Sequence, residues 1–309
     1  MSASAFERTI VPATRDLGDG FLVRRALPTA VCRTVGPFVF FDQFGPTVFG
    51  IGTGLDVRPH PHIGLATVTY LFEGEVAHRD SLGSAQIIRP GEVNWMTAGR
   101  GIVHSERTPA STRSAASTLA GIQSWVALPR AEEERPPSFA HHAARDLPLI
   151  QRPGCRIRII AGTLFGERSA VTTFSAMGYA DAELDAGAEL AFGDEFEQCA
   201  LYVVSGSVEA GAEQFGAAQL LLPRSRERVR LRSRQRSRLM LMAGEPLDAP
   251  RYLWWNFVSS SQARIEQARH DWLEQRFGTV PGDAYEFIPL PEEPPPTPGA
   301  ASSPLSPPL

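Results

Sequence analysis

Hydrophobic positions along this chain fall in short runs that are separated by Gly and Pro. The clearest example is 65–70, where Leu, Thr and Thr alternate with Ala, Val and Tyr. Similar runs occur at 38–41, 121–129, 156–162, 171–177, 200–205 and 218–222. Runs of this length, rich in β-branched and aromatic residues and bounded by turn residues, are typical of β-strands. The pattern therefore predicts an all-β protein.

One segment near the C-terminus follows a helical period instead. Residues 259–278 begin with serines that can cap a helix, place Ile265, Ala268 and Trp272 at 3–4 spacing, and end at Gly278. We expect His270 on this short helix to be exposed. The last residues, 291–309, are so rich in Pro that they cannot bury a core, so we predict a disordered Pro-rich tail.

The polar pattern is most unusual at 224–238, where arginine occupies every even position. A fully extended strand would present these side chains as a one-sided ladder able to bind phosphates or an acidic partner. The alternative is an ordinary strand with Val229 and Leu231 facing inward, a turn near 233–235 and a return strand at 239–242. We favour the strand and turn, because interleaved aromatic residues are absent and the chain is acidic overall.

Composition narrows the function classes. The 309 residues are 43% hydrophobic and 21% charged, which is typical of a soluble globular protein long enough for two domains. The formal net charge is −4, so we expect no direct binding to nucleic acid or membrane. Lysine is absent, which excludes Schiff-base chemistry on a lysine. Three separated cysteines and no signal-peptide pattern lead us to expect a reducing, cytoplasmic location.

Two pairs of residues carry the chemistry. His60 and His62 are two positions apart, and so are His104 and Glu106. Residues i and i+2 of a strand point to the same face, so two facing strands can aim three imidazoles and one carboxylate at one point. That donor set suits a divalent first-row transition metal, and an octahedral ion would keep two positions open. A single buried histidine is more often a hydrogen-bonded structural residue, but two such pairs favour a metal site.

The remaining histidines are weaker candidates. We expect His78 to be a surface residue or a neighbour of the ligands, and the adjacent His141 and His142 to lie at the surface. For the other ring nitrogens of the ligands, the candidate partners are Gln43, Asn94, Thr97 and Ser105. Between His142 and His270 the sequence has no histidine, so the second half cannot build a comparable site. It would then be structural, or a wall and lid for the first half.

The ligand motifs resemble those of the pirin family. Gly54, His60 and His62 fit the first cupin motif, G-x5-H-x-H-x3-E, but Ala66 stands where that motif has Glu. The segments similar to pirins are VGPFVFFDQFGP, HPHIGLATVTYLFEGEVAHRDSLGS, PGEVNWMTAGRGIVHSE and GIQSWVALP. The resemblance implies two cupin-type β-barrels (a bicupin): an N-terminal metal-binding barrel at 1–130 and a C-terminal barrel without metal at 131–290.

The resemblance also implies the ligands and the activity. In pirins the metal, usually iron, is held by the residues that correspond to His60, His62, His104 and Glu106. We expect one divalent ion, with Fe(II) favoured and Mn, Co, Ni, Cu or Zn as alternatives, and Glu106 could also serve as the general base. Pirins are associated with quercetin 2,3-dioxygenase activity, which implies a small aromatic substrate. They are also associated with regulation, which implies a transcription factor or metabolic enzyme as a protein partner.

Three further expectations concern the pocket around this site. We predict that Phe38, Phe40 and Phe44 belong to the barrel core and that some of them wall the pocket. Phe38, Phe40 and Trp95 are the apolar residues that could stack on an aromatic substrate. Ala66, which replaces an acidic residue, is expected to enlarge the pocket and make it less polar.

Overall fold

Strands dominate the architecture. The computed structural model describes residues 4–16 and 21–292, and the predicted tail at 291–309 falls almost entirely outside them. The strands of the first half are β1 (Arg8–Ile10), β2 (Ala13–Asp16), β3 (Leu22–Leu27), β4 (Phe38–Phe49), β5 (Asp56–His62), β6 (Leu65–Glu73), β7 (Val76–Asp80), β8 (Ala85–Ile88), β9 (Val93–Thr97), β10 (Ile102–Arg107), β11 (Ser117–Ala127) and β12 (Ser138–His142).

The second half continues in the same way. Its strands are β13 (Leu149–Arg152), β14 (Cys155–Leu164), β15 (Glu167–Arg168), β16 (Met177–Leu184), β17 (Glu189–Phe192), β18 (Gln198–Ser205), β19 (Ser207–Ala210), β20 (Glu213–Gly216), β21 (Gln219–Leu222), β22 (Val229–Ser233), β23 (Ser237–Gly244), β24 (Tyr252–Trp254) and β25 (Phe257–Ser259). They are followed by the helix α1 (Gln262–Leu273). Short 3-10 turns lie at Thr112–Ser114, Arg130–Glu132 and Ala144–Asp146. The expected all-β class with a short C-terminal helix is confirmed.

The strands form two barrels of two sheets each. The first barrel joins the sheet β12-β9-β6-β11-β4-β3-β2 to the sheet β5-β10-β7-β8. The second barrel joins the sheet β1-β21-β18-β23-β16-β14-β13 to the sheet β17-β22-β19-β20. The large sheets of the two barrels pack on each other, and Tyr70 and Phe41 of one meet Tyr202 and Met240 of the other in a shared apolar core.

Alternation along each strand explains this packing. On β23, Leu239 and Leu241 fill the second barrel, whereas Met240 and Met242 face the first barrel. A strand buried on both faces reads as a continuous apolar run rather than an alternating one. The second barrel is filled by Leu, Ile, Val and Phe side chains, which leaves its interior apolar.

Each half of the chain contributes a strand to the barrel of the other half. β1 pairs with β21 of the second barrel, and β12, which lies beyond residue 130, pairs with β9 of the first. The C-terminal segment (residues 252–292) packs on the first barrel, where Phe257, Ile265 and Trp272 belong to one buried cluster with Ile63 and Val103. The expected domain boundary at residue 130 stays a prediction, and these pairings show that chain segments cross it.

The local expectations can now be compared with the structure. The predicted helix is confirmed: Ser261 caps it by accepting a hydrogen bond from the Arg264 N–H, and Ile265, Ala268 and Trp272 are buried. The strand expected at 171–177 is wrong, because those residues form bends and β16 begins only at Met177. In the arginine-rich stretch, the strand-and-turn alternative is correct: β22 buries Val229 and Leu231 and exposes Arg230 and Arg232. Within the described residues, no helix is long and apolar enough to cross a membrane.

Candidate metal centre

Two antiparallel strands of the first barrel bring the predicted ligands together. β10 pairs with β5, so that His104 lies opposite His60 and Ile102 lies opposite His62. On its other edge β10 pairs with β7, where Glu106 lies opposite His78. A bulge between His104 and Glu106 shifts the register with β5. Bulges bend a strand locally and re-aim its side chains, which is common beside functional sites.

The three histidines form a tight buried cluster. Their candidate ligand atoms all lie within 4.8 Å of one another, and each side chain is almost fully buried. The Nε2 atoms of His62 and His104 are 3.1 Å apart. The ring centroids of His60 and His104 are 4.4 Å apart. Among the described residues this is the only group of three or more potential ligands, and it consists of His60, His62 and His104.

Backbone carbonyls fix the orientation of two imidazoles. His60 Nδ1 lies 2.8 Å from the carbonyl oxygen of Arg58, and His62 Nδ1 lies 3.0 Å from that of Asn256. Since a carbonyl oxygen only accepts, each Nδ1 carries the proton and each Nε2 keeps its lone pair. The expected partners Gln43 and Asn94 are wrong, because Gln43 accepts from the Tyr202 hydroxyl and Asn94 contacts His141.

Burial keeps the cluster neutral. Desolvation lowers the pKa of His60 to about 4 and holds the pKa values of His62 and His104 well below their ordinary value. Neutral imidazole is the form that binds metals. Among the described residues, the buried Nδ1 atom of His104 has no hydrogen-bond partner, and its Nε2 faces that of His62. Three buried imidazoles whose candidate ligand nitrogens lie this close together suit a metal ion.

Glu106 lies in the same cavity as the histidines. Its side chain is buried, and its Oε1 accepts a hydrogen bond of 2.9 Å from the Thr69 hydroxyl. Burial raises the pKa of this carboxyl above its ordinary value. The group of ligand atoms within 4.8 Å of one another contains the three histidines and not Glu106. Its role as the fourth ligand stays a prediction.

The cluster lies in a cavity of about 1070 Å³ within the first barrel. One wall is a stack in which Phe40 lies 4.0 Å from Trp125, ring centroid to ring centroid, with an interplanar angle of 13°. The Arg25 guanidinium lies 4.5 Å above the other side of Phe40 and forms two hydrogen bonds to Asp42. The remaining lining residues include Phe21, Val23, Phe44, Leu55, Val57, Thr69, Val76 and Gln123.

The cavity is closed by residues that sequence reasoning missed. Trp255, Asn256, Glu286 and Ile288 of the C-terminal segment line it, and no described residue of the second barrel does. The Ile288 N–H donates to the carbonyl of Pro59, and Arg107 forms ion pairs with Asp283 and Glu286. The second half of the chain therefore supplies part of the wall, as one of the two expectations had it, but through the C-terminal segment and not through described residues of the second barrel. No local signal links these residues to the histidines, because about 200 residues of chain separate them.

Several pocket expectations also need correction. Phe38 and Trp95 face the core between the barrels, whereas Phe40 and Phe44 line the cavity as expected. A register shift between Trp125 and Val126 turns Phe38 to the opposite face from Phe40. Ala66 is buried in the core between the barrels and does not line the cavity, so it cannot enlarge the pocket.

The other histidines are less exposed than expected. His78 is buried rather than at the surface: its ring stacks on Phe139 and its Nε2 lies 3.1 Å from Asp80 Oδ2. The His78 ring centroid is 5.3 Å from that of His104, so it is a neighbour of the cluster. His141 and His142 are half-buried on β12, whereas His270 is exposed as expected.

Two family models match separate segments of this chain. The Pirin family model matches residues 20–126, and the model of the pirin C-terminal cupin domain matches residues 179–278. A pirin-like protein of Caulobacter vibrioides is 47% identical over 281 residues, which cover 90% of this chain and 96% of that protein. Mouse pirin is 32% identical over 271 residues, which cover 84% of this chain and 89% of that protein.

Solved structures agree with the fold described above. The crystal structure of a quercetin 2,3-dioxygenase from Acinetobacter baumannii is similar with a TM-score of 0.86 and 32% sequence identity. The similarity covers 94% of this chain and 96% of that chain. The expected bicupin architecture is therefore confirmed.

Proposed function

Because the chain belongs to the pirin family, we propose that it is a metal-dependent oxidoreductase of the quercetin 2,3-dioxygenase type. The metal is Fe(II), held by His60, His62, His104 and Glu106. The single observation that carries the proposal is the cluster of three buried imidazoles, whose candidate ligand nitrogens lie within 4.8 Å of one another in a cavity with aromatic walls.

The donor set supports this choice of metal. Imidazole nitrogens combined with a carboxylate oxygen are the ligands that non-haem Fe(II) oxygenases use. When bound, the ion supplies Lewis acidity toward a substrate hydroxyl and a path for electrons to dioxygen. His60 and His62 reach it through Nε2, because their Nδ1 atoms are held by backbone carbonyls.

Glu106 is the acid–base group of the site. Thr69 holds its Oε1, so we assign Oε2 to metal binding or to the proton of an acidic substrate hydroxyl. Burial raises the pKa of the carboxyl, which makes Glu106 a stronger base than an exposed glutamate. A flavonol-type substrate brings such a hydroxyl next to a carbonyl on a flat aromatic ring system.

The cavity walls favour a flat aromatic ligand. Trp125 stands edge-on to His62, with ring centroids 5.2 Å apart, and stacks on Phe40. Phe21 and Phe44, whose ring centroids are 5.8 Å apart, add aromatic surface to the same cavity. Such walls exclude water from the reacting atoms and contact an aromatic ring over its face or edge.

The test is dioxygen uptake with quercetin. Iron-loaded protein is incubated with quercetin under air and under nitrogen, and oxygen uptake is compared with ring cleavage measured by mass spectrometry. We expect matched uptake and cleavage under air, no cleavage under nitrogen, and loss of both in His104→Ala. His270→Ala, which changes an exposed histidine of α1, is the control and should keep full activity. Equal quercetin loss in His104→Ala and the unsubstituted protein would reduce the activity to autoxidation and contradict the proposal.

A second candidate function is metal-dependent regulation of a protein partner. It is favoured by two exposed aromatic residues, Tyr285 and Phe287, which alternate with the cavity-lining Glu286 and Ile288. A change at the metal could thus reach a surface strip of the C-terminal segment. Hydrogen exchange of residues 283–290 in the Fe(II) and Fe(III) forms tests this. Exchange that depends on oxidation state, without oxygen turnover, would favour regulation.

A further inference from the structure

β5 contributes two histidines of the cluster and one cation to the cavity lining. Arg58 lines the cavity together with His60 and His62, at the point where a register shift with β10 interrupts the regular alternation of the strand. Along the chain, Arg58 is two residues from His60 and four from His62. Its side chain is exposed, which places it at the rim of the cavity.

Charge pairing singles out Arg58 among the cations of the cavity. Three arginines line it: Arg25, Arg58 and Arg107. Arg25 is paired with Asp42, and Arg107 is paired with Asp56, Asp283 and Glu286. Within residues 4–16 and 21–292, the Arg58 guanidinium has no ion pair or hydrogen bond.

The backbone at Arg58 is held although its side chain is free. Its carbonyl accepts the Nδ1 hydrogen bond of His60, and the neighbouring Pro59 carbonyl accepts from the Ile288 N–H. The Arg58 side chain therefore begins at a point where hydrogen bonds fix the backbone. The Arg58 carbonyl at this point also orients the imidazole of His60. A guanidinium that is always charged and unpaired, at the rim of an aromatic cavity, is suited to bind a carboxylate or a similar anion through two parallel hydrogen bonds.

We infer that Arg58 binds an anionic group of the substrate, so that the preferred ligand is an aromatic molecule with an acidic substituent remote from the reacting hydroxyl. The inference rests on the proposed function for the identity of the site. It adds the substrate class: an aromatic molecule whose acidic group reaches the rim of the cavity while its reacting hydroxyl lies at the histidine cluster.

A matched pair of ligands tests this assignment without turnover. Binding of 3-hydroxyflavone and of its 4′-carboxylate to metal-loaded full-length protein is measured under nitrogen by flavonol fluorescence. We expect the carboxylate to bind roughly five- to tenfold more tightly than the neutral flavonol, because the pair is partly exposed to solvent. Arg58→Gln should remove this preference and leave the affinity for the neutral flavonol unchanged. Arg58→Lys should retain part of it, since the charge remains.

Two controls separate this result from other effects. Metal content should stay the same in Arg58→Gln, because His60 bonds to the backbone carbonyl and not to the side chain of residue 58. Arg236→Gln, which changes an exposed arginine of the second barrel, should keep the full preference for the carboxylate. A preference that persists in Arg58→Gln, or equal binding of both flavonols by the unsubstituted protein, would overturn the inference. Oxygen uptake, measured separately under air, reports on the proposed function alone.

Discussion

At the scale of single residues, hydrogen bonds decide which atoms of the site are available. His62 donates a hydrogen bond from Nδ1 to the backbone carbonyl of Asn256, and its Nε2 faces the cluster. Glu106 is held in the same way by one partner, the hydroxyl of Thr69, from the neighbouring sheet of the barrel. Partners of this kind orient ligands and tune their basicity. Thr69 is thus expected to act on the metal through Glu106.

Thr69→Val tests that role. The substitution keeps the size of the side chain and removes the hydrogen bond to Glu106 Oε1. We expect metal affinity to fall by roughly 10-fold or more, measured by competition with a chelator, because the carboxylate loses its fixed orientation. Thr67→Val, a buried change on the same strand, is the control. Equal affinities in both variants would show that the Thr69 hydroxyl does not support the site.

At the scale of elements, a single glycine sets the contact between the ligand strand and the C-terminal segment. Gly64 follows β5 with a φ of +66°, and a Cβ there would overlap the carbonyl oxygen of Val258 on β25. Ile63 forms a parallel bridge with Phe257 at the same point. The close approach places Asn256 beside His62, so the geometry of the site depends on it.

Gly64→Ala should therefore lower both stability and metal affinity. A left-handed backbone conformation costs a residue other than glycine about 1–2 kcal/mol, and the overlap with Val258 adds to this. Gly83→Ala is the matched control, since Gly83 has a φ of +89° but open space around its Cβ position. We expect the melting temperature to fall further in Gly64→Ala than in Gly83→Ala. Equal losses would mean that the backbone conformation alone matters and that the contact does not.

The elements also show what the sequence could predict. The i, i+2 spacing of His60 and His62 predicted a strand that carries both, because the face to which a strand residue points is set by its position in the local sequence. The face on which Phe38 lies could not be predicted, because it depends on a register shift where β4 pairs with β11. The contribution of Asn256 was missed, because it depends on a contact between distant parts of the chain. Local pattern predicted that His60, His62 and His104 meet in one cluster, and long-range packing determined their surroundings.

At the scale of the whole molecule, a buried polar network joins the two barrels. Asp181 of the second barrel accepts a hydrogen bond of 2.7 Å from the Tyr70 hydroxyl of the first. Arg238 donates to the same carboxylate and lies 4.2 Å above the ring of Phe72. Burial and the Asp181 charge hold the pKa of Tyr70 well above its ordinary value, so this hydroxyl stays a donor.

Asp181→Ala should weaken the contact between the barrels. It leaves the Tyr70 hydroxyl buried without an acceptor and Arg238 without its main partner, which we expect to cost about 3 kcal/mol of unfolding free energy. Arg232→Ala, at an exposed position of β22, should change stability by less than about 0.5 kcal/mol. Urea unfolding of both variants gives the comparison. A loss below about 1 kcal/mol in Asp181→Ala would contradict the role of the network.

The central claim, that one metal ion is bound in the first barrel and none in the second, is tested most directly by metal stoichiometry. Full-length protein, a His62→Ala/His104→Ala double variant and the exposed control His270→Ala are loaded identically and analysed by elemental mass spectrometry. We predict one equivalent of iron per chain in the unsubstituted protein and the control, and almost none in the double variant, with all three folded by circular dichroism. A full equivalent of metal retained by the folded double variant would contradict the account.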